Sequence, residues 1–327
     1  MATSPGKTKT LDESLTDGLD TDLQARVAQQ STNQWVLVGQ RIKKNRIATL
    51  AFYYVLLNIL IAILFPVVIA YAPNSRQPGL DRRFGGGSSN FPNLKYPGGT
   101  DVLGLDTFSR GLAGAQTSML VGVLSTTISL LIGVTVGLYA GYYQGKVEEI
   151  AMRITDLFLA VPFLIIALIL LSMINRGQAG ALNGLDHVQI ITILIGIFGW
   201  AGLARLVTAN VKQVSSFEYI DAVRIMGASD KRIMFIHILP NTLAPVIVIG
   251  AIFIAGGILS EAGLAFLGFG DPVNTISWGI QVNLSRTELQ SHKEQALIPG
   301  FAIFFLVLGV NLFGDAIRDA LDPKLKE

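Results

Sequence analysis

Hydrophobic runs recur along this chain at lengths that match a lipid bilayer. A helix needs about 20 mostly apolar residues to cross roughly 30 Å of hydrocarbon. Ile47–Ala70 carries no charge and predicts the first span. Gly111–Gly145 is also uncharged, with Ser118–Tyr143 as its best membrane portion. Leu157–Ile174, the short and Gly-rich Val188–Ala204, Thr242–Ser260 and Ala296–Gly314 predict four more. The pattern therefore predicts an all-α membrane protein with six transmembrane helices. Pro162, Pro240 and Pro245 lie in or near these runs and read as kinks, because membrane helices tolerate proline.

The polar segments between the runs set the organisation. Residues 1–34 mix five acidic with three basic side chains and read as a disordered tail, with a weak helix near Asp22–Gln30. Residues 35–71 are a lead-in and the first span. Residues 72–116, rich in Pro, Gly, Ser and Asn, read as an irregular external loop. Residues 117–323 form the core, and 324–327 a short tail. The first span begins too late for a cleaved signal peptide and reads as an uncleaved anchor. Fourteen Lys and Arg residues flank the spans on the side that holds the termini, against eight on the other. The positive-inside rule then makes both termini cytoplasmic.

Composition agrees with the pattern. Of 327 residues, 51% are hydrophobic and 15% charged, too few charges to wet a soluble surface of this size. Net charge is only +2, which argues against nucleic acid as a partner. There are no cysteines, which excludes disulfides, thiol nucleophiles and cysteine metal sites. The three histidines, His187, His237 and His292, are far apart, so no metal site is expected. Gly141–Lys146 has the outline of a phosphate loop but one residue too few between its glycines, and Val147 where a hydroxyl should bind magnesium. Asp156, Arg205, His237, Glu261 and Asp315 fall near the expected span ends, where they read as solvated anchors. Glycines at 133, 137, 141 and 145 recur every four residues and predict close helix packing.

The most informative segment is Val214–Ile238. Ser215, Ser216, Phe217 and Glu218 fit a capping box, so a helix is expected to start there and to end at Gly227. At about 11 residues, or roughly 16 Å, it is too short to span. Glu218, Asp221 and Arg224 make a polar stripe, with Phe217, Ile220 and Val223 as an apolar stripe beside it. Such a helix either floats in the membrane interface or lies in a groove of a partner protein.

This segment, Glu218 to Ser229 followed by His237 to Asn241, resembles the EAA loop of ATP-binding-cassette importer permeases (about residues 214–240). Asp221 stands for the usual Glu and Val223 for the second Ala. Gly99–Arg110 is similar to the family's Gly-Thr-Asp-x-x-Gly-Arg-Asp-x-x-Ser-Arg segment, with Leu105 in place of the Arg. Ser260–Gly268, Ser277–Gly279, Pro299–Gly300 and Asn311–Pro323 resemble other blocks of the dipeptide, oligopeptide and nickel group, in particular its C-type permease.

The resemblance implies a type I importer permease fold with a cytoplasmic coupling helix, in the cell membrane. It implies a transport subunit, not an enzyme, that binds no cofactor itself, with ATP and magnesium held by one or two partner ATPase subunits. The other implied partners are a second permease and an extracytoplasmic solute-binding protein. Glu218, Asp221, Ala222, Arg224, Gly227, Ala228 and Ser229 would form or support the ATPase-docking surface. Glu261 is a weaker candidate for an external gate or receptor contact, against a reading as a solvated loop acid. The competing function is a secondary carrier or channel acting alone.

Overall fold

In the computed structural model, residues 39, 41–68, 97–100, 106–177, 184–271, 275–290 and 292–321 are described. The expected N-terminal tail, most of the 72–116 loop and the last six residues lie outside them. Among the described residues there is no named strand, only an isolated antiparallel bridge between Thr100 and Asp106. The helices are α1 (Arg46–Val68), α2 (Thr107–Tyr143), α3 (Gly145–Ala160), α4 (Phe163–Asn175) and α5 (His187–Ser215). They continue as α6 (Glu218–Ile225), α7 (Leu239–Phe266), α8 (Trp278–Leu284) and α9 (Glu294–Leu321). Among the described residues five helices are long and apolar enough to cross a membrane, and the count reaches six with the bent pair α3 and α4 taken as one span.

The span count agrees with the sequence, but several boundaries move. Helix α2 starts at Thr107, inside the expected external loop, because the Asp106 carboxyl accepts from the backbone N–H groups of Phe108 and Ser109 and caps it. The third span is broken. Val161 is extended, as a residue before proline prefers, and the chain bends by 69° between α3 and α4. Pro162 is thus a break and not a kink.

Helix α5 does not stop at Ala204 but continues to Ser215. Arg205 therefore lies inside a helix, where it pairs with Asp156 of α3, and about two turns later Lys212 pairs with Glu148 at 2.9 Å. These two ion pairs bridge α3 and α5 at their exposed edge. The expected capping box fails, because Ser215 still belongs to α5. Phe217 takes the N-cap position of α6 without a side-chain cap, and α6 is correspondingly shorter, at eight residues.

The centre of the bundle is the α2–α5 pair, its most extensive helix contact. The glycine stripe explains it. A Cβ on Gly137 would lie 2.7 Å from the Ala204 carbonyl oxygen and 2.6 Å from Val207 Cβ. Gly133 and Gly141 meet α5 in the same way one turn to either side, so three of the four glycines serve packing.

Helix α7 is preceded by a helical turn (Asp230–Arg232) and a π-helical segment (Ile233–Ile238). Pro240 has no N–H to give, and the Leu239 N–H bonds Met234 O, five residues back. Together these make one 37-residue rod, Asp230–Phe266, about 55 Å long. It runs from α6 at one end of the bundle to α8 at the other.

Candidate docking surface and inner path

Helix α6 sits on an apolar floor. Ile220 is fully buried in a cluster with Val207, Val211 and Val214 of α5 and Ile233, Met234 and Ile238 of the π segment, and Val223 packs against the same cluster. Burying one such side chain is worth about 1.5–3 kcal/mol. The opposite face is exposed. Glu218, Asp221, Ala222 and Arg224 all point outward, and Asp221 Oδ1 accepts from Arg224 Nη1 at 2.8 Å. Gly227 follows at φ 82° with nothing within 4 Å of a Cβ, so it is there for its left-handed backbone and not for space. Ser229 is exposed beside it. Ala228 is half-buried and packs on the apolar cluster, so it supports this surface from beneath.

Two hydrogen bonds tie this surface to the spans. Asn241 Nδ2, at the base of α7, donates to the Tyr219 hydroxyl at 3.2 Å and to His237 O at 2.6 Å. The Tyr142 hydroxyl at the end of α2 donates to Asp230 Oδ1 at 2.8 Å. Sequence reasoning missed Tyr219, and it missed Ile225 and Met226. These last two are 87% and 77% exposed, an apolar tip beside a charged face. Their signal was present, since two large apolar residues directly before a terminating glycine fit neither a floor nor a solvated end.

Midway along the bundle, α2, α4, α5 and α7 enclose a cavity of about 370 Å³. Ser125, Thr126, Ser129 and Ser260 supply hydroxyls, and Phe163, Phe198 and Phe253 supply aromatic walls. No charged side chain lines it. Phe163 reaches it because the break at Pro162 redirects the chain. Among the described residues, no three His, Asp or Glu side chains come together as a metal would require.

Glu261 is not the solvated loop acid expected. It lies within α7, 2% exposed, and Oε1 accepts a short hydrogen bond from Ser277 Oγ. Its burial follows from α7 running to Phe266, beyond the expected end at Ser260.

Residues 133–327 match the family described as the binding-protein-dependent transport system inner membrane component. Residues 33–90 match the N-terminal transmembrane domain of oligopeptide transport permease C. The glutathione transport system permease protein GsiD of Escherichia coli O157:H7 is 35% identical over 297 residues, covering 91% of this chain and 93% of the relative. The GsiD protein of Shigella sonnei matches equally well. This chain belongs to the binding-protein-dependent transport permeases.

The permease shares its fold with a subunit of the methionine transporter MetNI in inward-facing conformations (TM-score 0.52, 18% identity, 65% of this chain and 97% of that one). An amino acid transporter solved with histidines is similar (TM-score 0.51, 14% identity, 65% and 94%). The type I importer permease fold expected from the resemblance is thus the observed one. The reading as a carrier or channel acting alone is set aside. The permease is a multi-pass protein of the inner membrane. Its cavity offers hydrogen bonds from hydroxyls and carries no fixed charge.

Proposed function

We propose that this permease imports peptides, with α6 as the helix that receives the work of ATP hydrolysis from a partner. The observation that carries the reading is the two-sided build of α6: an apolar floor of Ile220 and Val223 locked to the bundle beneath an exposed face of Glu218, Asp221, Ala222 and Arg224. A helix floating in the membrane interface would turn its apolar side to lipid, whereas here Ile220 and Val223 of that side are covered by the protein and only Phe217 is left half-exposed. The exposed face, with Gly227, Ala228 and Ser229 behind it, is then the docking surface for one of one or two cytoplasmic ATPase subunits, which hold ATP and magnesium. Both termini are cytoplasmic, on the Lys- and Arg-rich side that also carries α6, and α8 lies on the outer side. A second permease, different from this one, completes the path, and an extracytoplasmic binding protein delivers the solute.

ATP binding closes the ATPase pair and carries α6 with it, and the spans turn from facing the cytoplasm to facing outward. ATP must bind the closed arrangement more tightly to shift the equilibrium. The peptide substrate class is supported by the glutathione permeases, since glutathione is a tripeptide, and by the uncharged, hydroxyl-bearing cavity, which suits solutes of varied side chains.

The test is uptake of glutathione and of a labelled dipeptide mixture by the full complex in proteoliposomes, with and without ATP on the side of the ATPase subunits. Uptake that requires ATP and the binding protein is expected. In the Asp221→Arg variant, insertion and ATP hydrolysis persist while uptake is lost. Uptake indifferent to ATP, or normal uptake by that variant at equal membrane levels, would sink the proposal.

A further inference from the structure

A carboxyl group buried inside a span is costly unless it is bonded, and its position there asks for a role. Glu261 sits where α7, α8 and α2 meet. Helix α8 is held to α2 by two hydrogen bonds, Trp278 Nε1 to Gly111 O at 2.6 Å and Gln281 Nε2 to Arg110 O at 2.8 Å, and the residue before its N-cap by a third, Thr117 Oγ1 to Ile276 O at 2.6 Å. These make α2 and α8 one body.

Close packing joins that body to α7, notably at Gly279, but hydrogen bonds between them are fewer. Asn283 Nδ2 donates to Phe266 O at the very end of α7. Within the span, Ser277 Oγ caps α8 by accepting from the Gly279 N–H at 3.1 Å and donates to Glu261 Oε1. One hydroxyl thus joins the start of α8 to the α7 rod. The Ser118 hydroxyl of α2 faces the same carboxyl, whose Oε2 is buried without a bond. At its other end the same rod is bonded to α6 through Asn241 and Tyr219.

We propose that Glu261 is a positioning residue that fastens the far end of the α7 rod to the α2–α8 body, so that movement of α6 is delivered to α8. The proposal rests on the reading of α6 as the ATPase-docking helix. Without the Glu261–Ser277 bond the rod and α8 are joined only by close packing at Gly279 and by the Asn283 bond at the end of α7, and events at the α8 end reach the ATPase less strongly. Glu261 does this from inside the bundle; its side chain is not offered to a docking protein.

The experiment uses the complete complex in proteoliposomes and measures ATP hydrolysis with and without the binding protein, glutathione being the solute. Glu261→Leu is expected to lower binding-protein stimulation about tenfold while basal hydrolysis stays unchanged, the size expected for losing one buried hydrogen bond to a carboxyl. Glu261→Gln keeps the acceptor for Ser277 and is expected to retain at least about half of the stimulation. Ser277→Ala removes both this bond and the α8 cap, so it lowers stimulation at least as far as Glu261→Leu does, and the double variant goes no lower than Ser277→Ala alone.

A Glu261→Leu complex with stimulation near wild type would overturn the proposal. So would a Gln variant as impaired as the Leu variant. If Glu261→Leu does not assemble, Ser277→Ala decides, and unchanged stimulation there overturns it. Failure of the importer reading would show separately, as wild-type uptake indifferent to ATP, and would remove the latch with it.

Discussion

The two ends of the α7 rod are built on opposite principles. At the α6 end an apolar floor lies below and the charges above, with the apolar tip beside them: Ile220 is fully buried while Asp221 and Arg224 remain exposed. At the α8 end the polar groups themselves are inside. Trp278, Arg110, Gln281, Ser277 and Glu261 are each at most 5% exposed, and hydrogen bonds run from Trp278, Gln281 and Ser277 to neighbouring helices. An exposed ion pair such as Asp221–Arg224 is worth little on its own, about 0–1 kcal/mol, so that face can change partners cheaply. A buried polar cluster is stiff, because each unmade bond costs about 1–3 kcal/mol. The rod therefore joins an adaptable surface to a rigid one, as expected of a part that must engage a partner at one end and hold its shape at the other.

A glycine at each end sharpens the contrast, and for different reasons. Gly279 lies flat against α7, where a Cβ would sit 2.4 Å from Ala262 O and 2.7 Å from Ala262 Cα. Both are backbone atoms, so no rotamer change relieves the clash. Gly279→Val is expected to have the largest effect: overpacking of about 1–3 kcal/mol or more and a matching fall in permease level. Quantitative immunoblotting of membranes checks it, and a normal level would refute the rigid α8 end.

Gly227 has free space but a backbone at φ 82°. Gly227→Asp should cost only about 1–2 kcal/mol of conformational energy and leave the level in the membrane near normal. Uptake should still fall more than tenfold, roughly the consequence of 1.4 kcal/mol or more lost at docking. Gly227→Asn tolerates that backbone without adding charge and should keep more uptake than Asp does. Equal loss in both variants would place the defect in the turn and not in the docking face.

The spans were legible because lipid leaves one solution for the backbone, and long uncharged runs have little other meaning. The glycine stripe was legible for a similar reason, since spacing of four stacks the residues on one face. What was not legible depended on contacts across helices. Arg205 looked like the end of a span, yet a charge does not stop a helix, and α5 continues past it with Arg205 paired to Asp156 of α3. Glu261 looked like a loop acid because its partner, Ser277, lies 16 residues further on, beyond a turn. Ser215 looked like a cap because its hydroxyl suits one, yet α5 runs through it. The polar stripe of α6 could be read from periodicity, but the choice between lipid and protein for its apolar stripe needed the floor that Val207, Val211 and Ile233 provide.

The apolar tip of α6 tests how far the adaptable surface extends. Ile225 and Met226 touch little in the chain itself, so changing both to Ser should alter its stability by less than about 0.5 kcal/mol. Recovery of the ATPase subunit with the tagged permease should nonetheless fall several-fold, roughly the 1 kcal/mol scale of losing exposed apolar anchors at an interface. Co-purification at matched membrane levels measures it, and full recovery would confine docking to the charged face.

The smallest effect is expected from Tyr219→Phe. It removes one hydroxyl and leaves the ring, the floor and the charges of α6 in place. The lost bond, 3.2 Å to Asn241, is exposed, and Asn241 keeps its bond to His237 O. An exposed neutral hydrogen bond contributes about 0.5–1 kcal/mol, so solute imported per ATP hydrolysed should fall by about twofold to fivefold with assembly intact. A larger fall would mean that the strut is stiffened once the partner covers it, which brings the α6 end closer to the buried chemistry of the α8 end. No change would mean that α6 moves with α7 through Ile220 and Val223 alone. Ile220→Ala, which costs about 2–5 kcal/mol at a fully buried site, should then uncouple the permease where Tyr219→Phe does not, and the difference between the two ends of the rod would be complete.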